Sequence, residues 1–268
     1  MWKEIGLLGR DSLLAKEVRP RLVGGLGFVL TGQHGIGKTA ILEWAYDQVN
    51  ERKALVSATW TQKEVLEGIC KGWGLEILDP EGKPVTQRSW NISNMTRAIV
   101  QQQGLWLFID DIQRLPPSLL SKLKAMRDRC IIVGAGVPPF RKEELKRLLW
   151  GLKYIDVGPI NKKELSRMGL KASPIIGSLT PVDEAVHAAR GIPAHLFHSL
   201  RGEVTPEASK TKDEEIDISP IILVVFAIAM ASRYVARGID STSLMMLSGL
   251  SMAGLVVVRF FLFKGMSK

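Results

Sequence analysis

The chain is poor in several residue types, and each shortage excludes a class of protein. Two cysteines in 268 residues are too few for a fold stabilised by disulfides, and their apolar sequence surroundings indicate reduced thiols. Hydrophobic residues make up 46% of the chain, which excludes an intrinsically disordered protein. The first residues lack the long apolar stretch of a signal peptide, so we expect the large domain to lie in the cytosol.

Charged residues are scarce in one part of the chain. Residues 218–268 hold five basic side chains and one acidic side chain, a net charge of +4. The first 217 residues hold 31 basic and 26 acidic side chains, a net charge of only +5. Because the excess positive charge of this large part is small, composition alone does not indicate a nucleic-acid-binding protein.

Two apolar stretches, 218–235 and 244–263, fill the charge-poor region. As helices they would extend roughly 27 and 30 Å, which matches the hydrocarbon core of a bilayer. Arg233 and Arg259 lie near the ends of these stretches, where long basic side chains can reach the membrane interface. We therefore expect an integral protein of the cytoplasmic membrane, with a transmembrane helical hairpin and with the large domain and the C-terminus on the cytoplasmic side. Two buried helices of a soluble core are the alternative.

The clearest motif follows a short apolar strand at residues 27–31. The next eight residues have the spacing G-x-x-x-x-G-K-T of a phosphate-binding loop. Glycines at this spacing let backbone N–H groups point at phosphate oxygens, while Lys38 reaches the β- and γ-phosphates and Thr39 binds Mg²⁺. The predicted nucleotide-binding residues are Gly32, Gln33, His34, Gly35, Ile36, Gly37, Lys38, Thr39 and Ala40.

An acidic pair follows a second apolar segment. Residues 105–109 are apolar without alternation, as in a strand buried on both faces of a parallel sheet, and Asp110 and Asp111 come next. A carboxylate in this position completes a P-loop site, so Asp110 is predicted to hold Mg²⁺ together with Thr39. Asp111 is predicted to polarise the attacking water and thus to be catalytic.

Short apolar strands alternate with helical segments through the first 160 residues, which indicates a parallel α/β sheet. Further strands are expected at 54–58, 130–134 and 154–157, and helices at 118–128, 162–169 and 182–190, with a third late helix from Pro193. The predicted organisation is an αβα nucleotide domain at 1–160, a small helical lid at 161–201, a charged linker at 202–217 and two transmembrane helices within 218–268.

The segments GLLGRDSLL, GQHGIGKT, LFIDDIQRL, IIVGAGVPP and ARGIPAHLF follow one another between residue 6 and about residue 200. In this order they resemble the AAA+ and STAND-type P-loop ATPases, and most closely the subgroup of origin-recognition, transposition and secretion-associated ATPases. The resemblance implies that ATP and Mg²⁺ bind where protomers of a homo-oligomer meet. It further implies that Leu8, Arg10 and Pro193 lie beside the nucleotide and that Arg147 is an arginine finger.

Three positions depart from the family pattern. Asp111 stands where active relatives have glutamate, residues 134–136 (Gly-Ala-Gly) offer no polar side chain after the fourth strand, and Ala194 stands where an arginine often follows Gly-x-Pro. The resemblance therefore implies secure ATP binding and slow hydrolysis.

The leading functional hypothesis is a membrane-anchored ATPase whose slow hydrolysis drives assembly or conformational change at the membrane. A nucleotide-gated adaptor for an unidentified protein partner is one alternative, and an ATPase that acts on nucleic acid is another. The nucleic-acid hypothesis is less favoured because no winged-helix pattern follows the lid and the excess charge is small. A channel-forming effector ranks last, because the apolar stretches lack the polar stripe of an aqueous pore.

Overall fold

The computed structural model of the chain describes residues 2–203, and its centre is a five-stranded sheet. The strands are β1 (Phe28–Thr31), β2 (Lys53–Ser57), β3 (Leu105–Asp110), β4 (Cys130–Gly136) and β5 (Lys153–Asp156). All neighbouring pairs are parallel, and the spatial order is β2-β3-β4-β1-β5. The predicted parallel α/β sheet is therefore confirmed.

The register brings the ends of three strands to the same edge of the sheet. Thr31, the last residue of β1, pairs with Gly136 of β4, and Ile109 of β3 pairs with Gly134 of β4. The phosphate loop leaves β1 at this edge, and Asp110 ends β3 there. β4 lies between them, so its end faces both motifs, as expected of a ligand site at the carboxyl ends of parallel strands.

The helices surround the sheet and then continue past β5. They are α1 (Trp2–Ile5), α2 (Asp11–Leu13), α3 (Arg19–Val23), α4 (Lys38–Gln48), α5 (Gln62–Gly72), α6 (Ile92–Val100), α7 (Pro117–Met126), α8 (Glu143–Leu148), α9 (Lys162–Ile176), α10 (Val182–Ala189) and α11 (Pro193–Leu200). A π-helical segment, Leu14–Val18, joins α2 to α3, and short 3₁₀ helices span Gln87–Ser89 and Ile112–Arg114.

The central strands are apolar along most of their length because both faces of the sheet are covered. In β3, Leu107 and Ile109 join a core cluster with α5 and α7, whereas Trp106 and Phe108 join a cluster with α4 on the opposite face. A strand with two buried faces needs apolar side chains at successive positions. This burial explains the uninterrupted apolar pattern before Asp110.

Helices α9, α10 and α11 pack together with Ile5 of α1 in a third core cluster. The predicted end of the first of these helices, at residue 169, is wrong, because α9 continues to Ile176. Gly169 serves helix packing instead of helix termination: a Cβ atom there would lie 2.7 Å from Cγ1 of Val182.

Within residues 2–203, no helix is both long enough and apolar enough to cross a membrane. The predicted hairpin at 218–268 and all but the first two residues of the predicted linker lie outside the described residues. The division of the chain at residues 160, 201 and 217 remains a prediction.

Candidate nucleotide-binding site

A cavity of about 440 Å³ lies at the carboxyl edge of the sheet. The phosphate loop forms one wall, and the N-terminal segment, the loop after β5, α9 and α11 contribute the others. Of the predicted nucleotide-binding and catalytic residues, those that line the cavity are Leu8, Arg10, His34, Gly35, Ile36, Gly37, Lys38, Thr39, Ala40, Asp111 and Pro193. The structure therefore brings most of the predicted site together around one volume.

The phosphate loop curls because its glycines adopt conformations that other residues rarely adopt. Gly35 has φ 75° and Gly37 has φ 101°, and α4 begins directly afterwards at Lys38. A chain that turns in this way into a helix N-terminus directs backbone N–H groups and partial positive charge towards the cavity. The loop therefore has the form of an anion-binding site.

The amine of Lys38 lies folded over this loop. Its Nζ donates hydrogen bonds to the backbone oxygens of Gly32 and Gln33, each at 2.8 Å, and the residue is only 8% exposed. Burial lowers the pKa of Lys38, while the nearby charges of Asp110 and Asp111 oppose this shift. A buried cation whose acceptors are neutral carbonyls can gain further stabilisation from an anionic phosphate.

Thr39 and Asp110 contact each other although 71 positions separate them. The Thr39 hydroxyl donates to Oδ2 of Asp110 at 2.9 Å, and the backbone N–H of Asp111 donates to Oδ1 at 3.0 Å. Burial raises the pKa of Asp110, and the bond from Thr39 counteracts part of that rise. A hydroxyl and a carboxylate side by side are suitable oxygen ligands for Mg²⁺, which commonly binds one or two protein groups plus phosphate oxygens and water.

Asp111 lines the cavity from an unusual backbone conformation. Its φ and ψ are 50° and 39°, in the left-handed region that only a few per cent of non-glycine residues adopt. Its Oδ1 accepts a hydrogen bond from Nε2 of Gln113 at 3.2 Å. The fold thus holds this carboxylate in a defined place beside the phosphate loop.

Arg10 connects the phosphate loop to the segment after β5. It is 6% exposed, and its guanidinium donates to the backbone oxygens of Ile36 at 2.8 Å and Gly158 at 2.6 Å. Burial lowers its pKa. These contacts direct the guanidinium at the backbone of the loop. Arg10 therefore helps to hold the conformation of the phosphate loop, and through it Arg10 can affect nucleotide binding indirectly.

Helix α11 approaches the phosphate loop closely enough to form a direct backbone contact. The N–H of Ala194 donates to the oxygen of Gly35 at 3.1 Å. A Cβ atom on Gly35 would lie 2.6 Å from Cβ of Ala194, so glycine is needed in the loop for this contact. Pro193 and Phe197 of the same helix also line the cavity.

The structure does not place Arg147 at the cavity. It is exposed on α8 and is absent from the cavity lining within the described residues, so its predicted role as an arginine finger stays a prediction. Sequence reasoning missed Ile5, Ile160, Met168 and Phe197, which form apolar parts of the wall. Their patterns do not differ from those of ordinary core residues, so the sequence contained no signal for them.

Residues 24–142 match the protein-family model described as "AAA domain". The matched segment begins before β1 and ends just before α8, so it contains the phosphate loop, the acidic pair and β4. This part of the chain therefore has the fold of an AAA-domain P-loop ATPase.

Several solved structures are similar to this chain at low sequence identity. Domain III of the replication initiation protein DnaA from Thermotoga maritima is 13% identical with a TM-score of 0.49, and the match covers 94% of this chain and 95% of that one. A Walker-type ATPase of Pyrococcus abyssi is 14% identical with a TM-score of 0.49, covering 86% and 76%. The RuvB Holliday junction branch migration motor of Thermotoga maritima is 16% identical with a TM-score of 0.47, covering 71% and 59%.

The chain spans about three fifths of the length of the RuvB structures that it matches. No curated protein sequence matches the chain.

Proposed function

We propose that the chain binds ATP with Mg²⁺ and hydrolyses it slowly. The observation that carries this proposal is the contact between Thr39 and Asp110 beside the buried amine of Lys38. These three side chains come from the two motifs that the AAA-domain match contains. Lys38 and Thr39 line the cavity, and Asp110 is bonded to Thr39, so the arrangement supplies a cation for the phosphates and two neighbouring oxygen ligands for a metal ion.

Each residue has a distinct task in this proposal. Lys38 exchanges its carbonyl acceptors for phosphate oxygens, and backbone N–H groups of the loop bind the remaining oxygens. Thr39 and Asp110 hold Mg²⁺, which supplies neutralisation of charge on the β- and γ-phosphates. Asp111 orients and polarises the attacking water, since positioning and electrostatics provide most of the catalysis in phosphoryl transfer.

Two other parts of the site support slow turnover. The end of β4, residues 134–136, carries no polar side chain, and Ala194 places a methyl group beside the phosphate loop. Fewer preorganised donors around the γ-phosphate mean less stabilisation of the charge that develops during transfer.

Equilibrium ATP binding and steady-state phosphate release, each with and without Mg²⁺, test the proposal. We expect Mg²⁺-dependent binding and slow release of phosphate. Binding without any release would favour the nucleotide-gated adaptor. Release that rises on addition of DNA would favour the ATPase that acts on nucleic acid, and a chain that does not bind ATP would contradict all three hypotheses.

The apolar stretches at 218–235 and 244–263 support a second part of the proposal, namely anchoring in the cytoplasmic membrane. Flotation with liposomes tests it on the full chain and on residues 1–217. The full chain should float with the vesicles after washing at alkaline pH, whereas the shorter chain should stay at the bottom and still bind ATP. A full chain that is soluble without detergent would contradict the anchor.

We also propose that ATP binds between protomers of a homo-oligomer and that Arg147 acts on the neighbouring site. Its exposure on α8 supports this role, because a residue that acts across an interface has to be exposed in its own chain. Complementation tests it: Arg147→Ala and Lys38→Ala chains, each inactive alone, should recover part of the turnover when mixed. Arg141→Ala, at an exposed position near α8, is the control and should retain activity alone.

A further inference from the structure

A glutamine that follows β3 links two parts of the site. Gln113 lies in the 3₁₀ helix that follows β3. Its Oε1 accepts a hydrogen bond from the backbone N–H of Val137 at 3.1 Å, and its Nε2 donates to Oδ1 of Asp111 at 3.2 Å. One side-chain amide therefore connects the carboxylate of Asp111 to the residue that follows β4.

The two contacts determine which end of the amide faces Asp111. The backbone N–H of Val137 can only donate, so the side-chain atom beside it has to be the carbonyl oxygen of Gln113. The amide nitrogen then faces Asp111 and donates to its carboxylate. This bond occupies Oδ1, and a carboxylate held through one oxygen can accept a water hydrogen through the other.

Gly136 provides the space for the amide. A Cβ atom on Gly136 would lie 2.6 Å from Oε1 of Gln113, and it would also crowd Ile112 and Phe140 at 2.9 and 3.0 Å. A larger residue at the end of β4 would therefore displace the glutamine. The missing side chain of Gly136 thus leaves the space that the Gln113 amide occupies. Gln113 supplies the polar group that the end of β4 lacks.

The backbone around Asp111 is fixed by the same turn. The N–H of Arg114 donates to the backbone oxygen of Asp111 at 2.8 Å, and this closes the turn over the left-handed residue. Conformations of this kind cost of order 1 kcal/mol and persist where the surroundings determine them. The turn therefore holds the backbone of Asp111, and Gln113 holds its side chain.

We propose that Gln113 is a positioning residue for hydrolysis, which holds the carboxylate of Asp111 in the orientation that polarises the attacking water. This inference rests on the proposed function, since it assumes that ATP is hydrolysed in this cavity. The two hydrogen bonds of the Gln113 amide go to Asp111 and Val137, and neither goes to the phosphate loop. Loss of Gln113 should therefore lower kcat and leave ATP affinity unchanged.

The decisive variant is Gln113→Glu in the full chain. Glutamate retains the oxygen that accepts from Val137, but it replaces the donor to Asp111 by a second carboxylate oxygen, which repels the first. We expect kcat to fall about tenfold or more, with ATP affinity within about twofold of the parent value. Gln103→Glu makes the same chemical change at an exposed position before β3 and should behave like the parent. A purely structural role through Val137 predicts parent-like kcat for Gln113→Glu.

A double-mutant cycle then shows whether Gln113 acts through Asp111. Single-turnover phosphate release is measured for Asp111→Asn, for Gln113→Ala and for both together. If Gln113 acts through Asp111, adding Gln113→Ala to Asp111→Asn causes no further loss. If Gln113→Ala fails to fold, the kcat and ATP affinity of Gln113→Glu are sufficient to test the inference.

Three results would overturn the inference and leave the proposed function in place, provided that the parent chain releases phosphate. They are parent-like kcat for Gln113→Glu, fully additive losses in the cycle, and a fall in ATP affinity as large as the fall in kcat. A parent chain that binds ATP and releases no phosphate would overturn both the inference and the hydrolysis on which it rests.

Discussion

The two sides of the cavity differ in how polar they are. The side formed by the phosphate loop and Asp110 has a buried cation, a hydroxyl bonded to a carboxylate, and a helix N-terminus. The side formed by α11 has Ala194 and Phe197. The end of β4, between the two motifs, is Gly-Ala-Gly, and the polar contact to Asp111 there comes from Gln113. If the proposed roles are correct, binding and turnover depend on different residues, and substitutions should separate them.

The largest expected effect is on the phosphate-loop side. Lys38→Ala should weaken ATP binding about 100-fold or more, because removal of a charged hydrogen-bond partner costs about 3 kcal/mol. Equilibrium titration with ATP measures it, and Lys163→Ala, an exposed position on α9, is the control. Since Lys38 also holds Gly32 and Gln33, the melting temperature of the nucleotide-free variant has to be compared with that of the parent. Equal affinities in a folded variant would place the nucleotide elsewhere.

The next effect should fall on turnover alone. Asp111→Asn should lower kcat about tenfold or more, in line with the loss of a group that assists proton transfer, and should leave ATP affinity unchanged. Asparagine tolerates the left-handed backbone at this position as well as aspartate does, so the fold should be retained. Asp111→Glu would test whether a longer carboxylate orients the water better, but glutamate adopts a φ of 50° less readily than aspartate, so this variant is harder to interpret.

Asp128→Asn, at an exposed position, is the matched control for the substitution of Asp111 and should turn over ATP like the parent. If Asp111→Asn kept the parent kcat, another residue would have to orient the water. If it weakened binding as much as turnover, the separation between the two sides of the cavity would fail.

A smaller effect should distinguish the two neighbouring aspartates. Asp110→Asn should weaken ATP binding about fivefold in the presence of Mg²⁺, because asparagine keeps one oxygen for the metal ion and the net loss is therefore only about 1 kcal/mol. Titrations with Mg²⁺ and with a chelator measure the dependence, and the variant and the parent should differ little without the metal ion. Equal Mg²⁺ dependence in both proteins would exclude Asp110 as a metal ligand.

Sequence reasoning succeeded where local chemistry is strict. The spacing between Gly32 and Thr39 admits few structures other than a phosphate loop, and the apolar run before Asp110 required a strand with two covered faces. Glycine was less informative, since Gly169 looked like a helix end and instead makes room for Val182.

Contacts between distant segments could not be predicted in the same way. The link from Gln113 to Val137 depends on β4 lying beside β3, and no pattern in either segment states that order. The apolar wall contributed by Met168 and Phe197 has the periodicity of ordinary helix packing. The sequence therefore indicated which polar side chains lie together, but it indicated neither the apolar wall nor the contacts between distant segments.

The smallest predicted effect concerns stability and has the opposite sign to the effect on binding. Burial raises the pKa of Asp110 above its ordinary value of 3.8, so the ionised carboxylate destabilises the nucleotide-free fold. For a carboxyl with a raised pKa, this destabilisation is present above the folded-state pKa and disappears as the pH falls towards the unfolded-state value. Asp110→Asn removes the charge, and the Thr39 hydroxyl can then accept a hydrogen bond from the new amide.

Thermal unfolding without nucleotide should therefore show a small rise in Tm for Asp110→Asn at pH 7, and the rise should shrink as the pH is lowered towards 4. Asp128→Asn, whose side chain is 93% exposed, should show no comparable change. A residue that weakens the empty fold and strengthens the metal-bound complex serves ligand binding instead of stability. If Asp110→Asn lowered Tm at neutral pH, the carboxylate of Asp110 would stabilise the nucleotide-free fold. The inference that this carboxylate is kept for metal binding at the expense of stability would then be wrong.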